Sequence, residues 1–84
     1  MDKNEIFNII KRSIMEIVPD IDEKDICPEI SMKDLGANSV DRMDIIIQSM
    51  KELEIKVPMV EFGNLKNIQG VVDLLYEKKL TFGK

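Results

Sequence analysis

The sequence predicts an all-α fold, a small bundle of three main helices plus one short helix with a long loop between the first and second helices. Three observations carry this. Apolar residues recur at three- and four-residue steps in three stretches separated by Pro and Gly. The sequence offers no sustained alternation of apolar and polar residues of the kind a set of paired strands would need. Finally, 84 residues with 44% hydrophobic content supply one core and leave none for a second, so residues 1–84 are expected to form a single domain.

The first helix is expected from Lys3 to Val18. Phe7, Ile10, Ile14 and Ile17 stack on one face, and Ile6 and Ile9 widen that stripe. Asp2 followed by Glu5 has the spacing of a capping box, and Pro19 stops the helix because it has no amide to continue the ladder. From Asp20 to Asn38 the periodicity breaks into a long ordered loop, pinned by Ile21, Ile26, Ile30, Met32 and Leu35, with Ser31 and Asp34 able to cap a short turn. Asp20, Asp22 and Asp25 have a superficial likeness to a calcium loop. Lys24 and the lack of a glycine at the sixth position break the ligand pattern, so the expectation is a solvated acidic loop and no metal.

A second helix is expected from Ser39 to Glu54, with Met43, Ile46, Ile47, Met50 and Leu53 facing the core. Val40 and Ile45 fall off that stripe, either as partly covered surface residues or as a docking patch, and the pattern leaves both readings open. Pro58 closes this segment, Val60 to Leu65 has room for one helical turn interrupted at Gly63, and Asn67 can cap a last helix lined by Ile68, Val71, Val72 and Leu75. Lys78 and Lys79 suit the negative end of that helix's dipole. The tail from Leu80 to Lys84 is expected to fray, with no evident partner for Phe82.

Composition narrows function. Sixteen acidic against twelve basic residues give a net charge of −4, which disfavours nucleic acid and favours basic protein partners. Histidine is absent, so the side chain on which most general acid–base mechanisms depend is missing, and an autonomous enzyme with catalytic residues of its own is not expected. Cys27 is single and has no internal disulfide partner. Without histidine it cannot complete a zinc site of the usual ligand set. The longest apolar run, Ile45 to Ile47, is far short of a signal peptide or a membrane span, and a monomer in a reducing cytoplasm is expected.

The informative stretch is Asp34 to Ile45, DLGANSVDRMDI. Gly36 permits a sharp entry to the second helix, which places Ser39 in its first turn, where open amides and the helix dipole favour an anionic group on the hydroxyl. Asn38 or Ser39 could equally be an ordinary cap. As a nucleophile the serine lacks a neighbouring base, so chemistry at its hydroxyl must be performed by another enzyme.

The segment Leu35 to Asp41, LGANSVD, resembles the modification site of acyl carrier proteins, and the order of helix, long loop, serine-led helix, short turn and final helix is similar to that family across nearly the whole chain. The resemblance implies that a phosphopantetheinyl transferase moves 4'-phosphopantetheine from coenzyme A onto Ser39, and that the thiol of this arm holds acyl groups as thioesters. It also implies partner contact at Asp34, Asn38, Val40, Asp41, Asp44 and Ile45. GANSV departs from the GADSL common in fatty-acid carriers. Together with KNI, Lys66 to Ile68, it looks most like freestanding carriers of bacterial polyketide β-branching cassettes, which serve antibiotic biosynthesis. That branch implies an acyltransferase, a ketosynthase-like decarboxylase that converts malonyl to acetyl, and a hydroxymethylglutaryl-CoA synthase-like acceptor of the acetyl unit. The alternatives are a carrier for fatty-acid synthesis and an unmodified helical interaction module.

Overall fold

The computed structural model describes residues 2–82. The chain forms α1 (Lys3–Ile17), α2 (Ser39–Leu53) and α3 (Ile68–Phe82), with 3-10 turns at Glu23–Asp25 and Met59–Phe62; no strand occurs among the described residues. The all-α bundle is as expected, except that the long connection contains a short 3-10 turn of its own. Arg12 meets Glu52 at 3.2 Å and Glu16 meets Gln48 at 2.6 Å, so residue numbers rise along α1 as they fall along α2, and the two helices run antiparallel.

α1 begins at Asp2, whose carboxylate accepts the Glu5 amide at 2.9 Å, and it ends where the Val18 amide donates to the Ile14 carbonyl just before Pro19. Its buried face is Ile6, Ile9, Ile10, Ser13 and Ile14, while Phe7 and Ile17 are only half-buried. The core stripe is therefore rotated from the one expected, because α1 packs against both α2 and α3 and needs a wide inner face.

α2 departs further. Ile45, Ile46, Ser49 and Leu53 are buried, whereas Met43 and Ile47 are 48% and 37% exposed. The inner row is Ile45, Ser49, Leu53 at four-residue steps, and the polar Ser49 in its middle concealed it from a count of apolar residues. Ser49 is tolerated because its Oγ donates to the Ile45 carbonyl at 2.8 Å. Ser13 in α1 is also buried, and among the described residues its Oγ meets no hydrogen-bond partner.

The two ends of α2 are closed in different ways. At the start, Asn38 Oδ1 accepts the Asp41 amide at 2.8 Å and the Asp41 carboxylate accepts the Asn38 amide at 3.3 Å, a reciprocal capping box. At the end, Glu54 adopts a left-handed conformation (φ 58°), which lets the Ile55 amide return to the Met50 carbonyl at 3.1 Å and turns Ile55 into the core. The Met50 sulfur then accepts the Val57 amide at 3.3 Å.

Backbone bonds dock the connection between α1 and α2. Ile26, Met32 and Ala37 are buried, Ser31 Oγ accepts the Asp34 amide at 3.1 Å, and the carbonyls of Ile30 and Pro28 accept the amides of Ile68 and Gln69 at 2.9 and 2.8 Å. The loop thus satisfies two of the four donors at the head of α3, and Asn67 Oδ1 takes a third from Gly70 at 2.9 Å. Ile68, Val71, Val72 and Leu75 are buried as expected. Lys79 reaches across to the Leu53 carbonyl at the end of α2 (2.8 Å) and Lys78 pairs with Glu61 (3.3 Å), so both lysines serve neighbouring elements. α3 runs through residues 80–82, and Gly83 and Lys84, the rest of the tail expected to fray, lie outside the described residues.

Three outcomes follow from this packing. Ile10→Ala empties a site at the centre of α1's inner face and should cost about 2–5 kcal/mol in chemical denaturation, against less than about 0.5 kcal/mol for the exposed Val60→Ala. Asn38→Ala removes one half of the α2 capping box and should cost about 1 kcal/mol by the same measurement. Lys3, 3.0 Å away, and then Gln69 hold the Asp73 carboxyl below its ordinary value. Its folded pKa is depressed, so its small contribution is present at neutral pH and lost as pH falls below about 4 and through the folded pKa. Both partners are half exposed, so Asp73→Asn should cost at most about 0.5 kcal/mol at pH 7, and the difference from wild type should close on acid titration.

Candidate functional site

The chain is carried into α2 by a tight turn. The amides of Leu35 and Ala37 both return to the Met32 carbonyl, at 3.1 Å each, and that of Gly36 returns to the Lys33 carbonyl at 3.0 Å. Gly36 has φ +93°, a conformation a side chain disfavours, and Ala37 then plugs into the core at 3% exposure. Asn38 is extended, and Ser39 follows as the first residue of α2, exposed to solvent. Buried Ala37 on one side and buried Ile45 and Ile46 on the other fix the height at which the serine emerges.

Four amides at the head of α2 lack partners within the helix. The capping box takes those of Asn38 and Asp41, the intrahelical ladder starts with the Arg42 amide on the Asn38 carbonyl at 2.9 Å, and among the described residues Ser39 and Val40 are left with open donors. Arg42 Nη2 donates to Ser39 Oγ at 3.3 Å. The group that meets the hydroxyl is thus a permanent cation, with no capacity to remove its proton. Two amides, a helix N-terminus and a guanidinium together form an environment for negative charge on Oγ, and offer nothing that would activate the serine as a nucleophile.

A groove of about 500 Å³ opens beside Ser39, between α2 and the segment around the second 3-10 turn. Met43, Ile46, Met59, Phe62 and Leu65 supply its apolar surface, and Lys33, Arg42 and Lys66 its positive charge. Met43 is therefore a groove residue and not part of the closed core. Among the described residues no group of three or more His, Cys, Asp or Glu could hold a metal ion, and no helix is long and apolar enough to cross a membrane.

The residues expected to meet partners do not all share one surface. Asp34, Asn38, Val40 and Asp44 are exposed around Ser39, Val40 at 65%, and Asp41 is half-buried with its carboxylate on the Asn38 amide. Asn38 and Asp41 thus have a structural task as the cap of α2. Ile45 is a correction: at 0% exposure it belongs to the core, since the inner row of α2 runs through Ser49, and it is withdrawn from any contact surface. Arg42 is a site residue that the sequence pattern alone did not single out. The signal was present in its position three residues after the serine, which puts both on one helix face.

An exposed serine hydroxyl with an anion-favouring surround and an adjoining groove fits a covalently attached phosphate-linked group. Comparison with known proteins agrees. Residues 10–75 match the family model described as "Phosphopantetheine attachment site". The "Polyketide biosynthesis acyl-carrier-protein AcpK" of Bacillus subtilis (strain 168) is 38% identical over 78 residues, covering 93% of this chain and 95% of that protein. The "Acyl carrier protein" of Thermosynechococcus vestitus is 29% identical over 79 residues, covering 93% and 96%. Among solved structures, the chain is similar to one from the "Crystal Structure of the Curacin Biosynthetic Pathway HMG Synthase in Complex with Acetyl Donor-ACP", with a TM-score of 0.84 and 36% identity over 93% of this chain and all of that one. The chain therefore belongs to the phosphopantetheine attachment site family, as an acyl carrier protein: a non-catalytic carrier bearing covalent 4'-phosphopantetheine.

Proposed function

We propose that Ser39 is the attachment point of the arm, and that the chain is a donor carrier that delivers a short acyl unit to a hydroxymethylglutaryl-CoA synthase-like enzyme in polyketide β-branching. The observation that carries the attachment is a comparison among the four serines, all of which fall within the span matched to the family. Ser13 and Ser49 are buried and Ser31 is partly buried with its Oγ bonded to the Asp34 amide. Ser39 alone is exposed, at a helix start, with its hydroxyl against a cation.

The chain's own residues prepare that hydroxyl for modification by another protein. The Gly36 turn presents it, the Ser39 and Val40 amides and Arg42 stabilise charge on the phosphate that replaces its proton, and the base that removes the proton comes from the phosphopantetheinyl transferase. The attached arm supplies a thiol that holds acyl groups as thioesters. Val40 and Met43 offer exposed apolar contact beside the serine, and Asp34 and Asp44 offer exposed charge, for the transferase, an acyltransferase, a ketosynthase-like decarboxylase and the synthase in turn.

The donor role is supported by two likenesses that point the same way: to a polyketide carrier at 38% identity, and to a carrier solved with an HMG synthase at 36% identity. Incubation with coenzyme A and a broad-specificity phosphopantetheinyl transferase should add one phosphopantetheine by intact mass spectrometry, and Ser39→Ala should abolish the addition. An unmodified wild type beside a loaded control carrier would leave only a helical interaction module. The acetyl-loaded protein should then transfer its acyl group to a β-branching synthase; efficient turnover by fatty-acid elongation enzymes with none by the synthase would replace the donor role with that of a fatty-acid carrier.

A further inference from the structure

We infer that Arg42 is a positioning residue for the phosphate of the arm, holding the first part of the arm against the groove beside α2. The inference rests on Ser39 as the attachment point and concerns what the carrier does with the arm once it is there.

Three observations converge. Arg42 Nη2 already lies 3.3 Å from Ser39 Oγ, the atom that would become the bridging oxygen of the phosphodiester. The guanidinium has no carboxylate partner within 4.0 Å among the described residues, although the chain is acidic and four other cations are paired. The adjacent carboxylate of Asp41 is directed to the Asn38 amide. An acidic protein thus keeps an unpaired guanidinium at its one exposed serine, and the same groove carries Lys33 and Lys66, also absent from those ion pairs.

A serine hydroxyl is a neutral acceptor, and at 3.3 Å the contact with it is weak. A phosphodiester on that oxygen brings anionic acceptors to the place the guanidinium already reaches. The neutral contact becomes a charge-assisted one, and the planar fork of arginine suits two phosphate oxygens at once. Arg42 also lines the groove, so phosphate bound to it directs the arm toward Met43 and Met59 and away from bulk solvent.

The test compares apo and holo forms of wild type, Arg42→Ala, Arg42→Lys and Lys51→Ala, each checked for loading by intact mass. Lys51 is an exposed cation of α2 that does not line this groove. Loading should raise the folding equilibrium constant of wild type roughly two- to five-fold, the range of an exposed ion contact. The gain should vanish in Arg42→Ala, persist in part in Arg42→Lys and be unchanged in Lys51→Ala. In 1 M salt, where the screening length is about 3 Å, it should shrink in wild type. Loading should also shift the Arg42 side-chain Nε–H resonance of the wild-type protein. Full gain in loaded Arg42→Ala, equal loss in Lys51→Ala, or an unmoved Arg42 resonance would each overturn the inference. If Arg42→Ala resists the transferase, the wild-type resonance decides by itself. Failure of wild type to gain any mass would instead defeat the attachment at Ser39.

Discussion

The arrangement depends on how the connection between α1 and α2 is held. Two carbonyls, of Pro28 and Ile30, accept the first amides of α3, and Ile26, Met32 and Ala37 reach into the core. These contacts convert a stretch with little regular structure into a fixed strap. Each hydrogen bond satisfies a donor that the head of α3 would otherwise leave open, so the loop and the helix stabilise each other. The strap ends at the Gly36 turn, and its position therefore becomes the position of Ser39. If it were loose, the serine would still head a helix, but its height over the groove and its distance from Arg42 would be undefined.

Electrostatics divides the surface around that serine. Overall the chain is negative, and the carboxylates of Asp34 and Asp44, before and after Ser39 in the chain, are exposed. Within the groove the sign reverses at Lys33, Arg42 and Lys66. A carrier has two tasks with opposite demands: to attract basic partner surfaces by long-range field, and to accommodate a phosphodiester at short range. Under the proposed attachment at Ser39, acids outside and cations against the groove would serve both, because screening in water limits the reach of each charge to about 8–10 Å.

The capping box illustrates how one residue pair is shared between fold and function. Asn38 and Asp41 are spent on each other, which closes α2 while leaving the Ser39 and Val40 amides open. A cap placed on the serine itself would have engaged its hydroxyl with a backbone amide. With Asn38 as the cap, the serine is one residue inside the helix and its side chain remains available.

The local features were legible because they depend on neighbours in the chain. The three helices, the Pro19 and Pro58 breaks, the Asn67 cap, the inner face of α3 and the glycine-led entry to Ser39 all follow from periodicity and backbone chemistry within a few residues. What the sequence left undecided was which face of α2 turns inward. Met43 and Ile47 look like core, and Ile45 looks like surface, until Ser49 is seen to satisfy its own hydroxyl on the Ile45 carbonyl and so to be acceptable in the interior. The tertiary structure also decided that Lys79 closes α2, that Pro28 and Ile30 close α3, and that Lys33 and Lys66 share a groove with Arg42. Each of these joins residues far apart in the chain, and their meeting is set by how three helices share one core, a constraint that no local pattern contains.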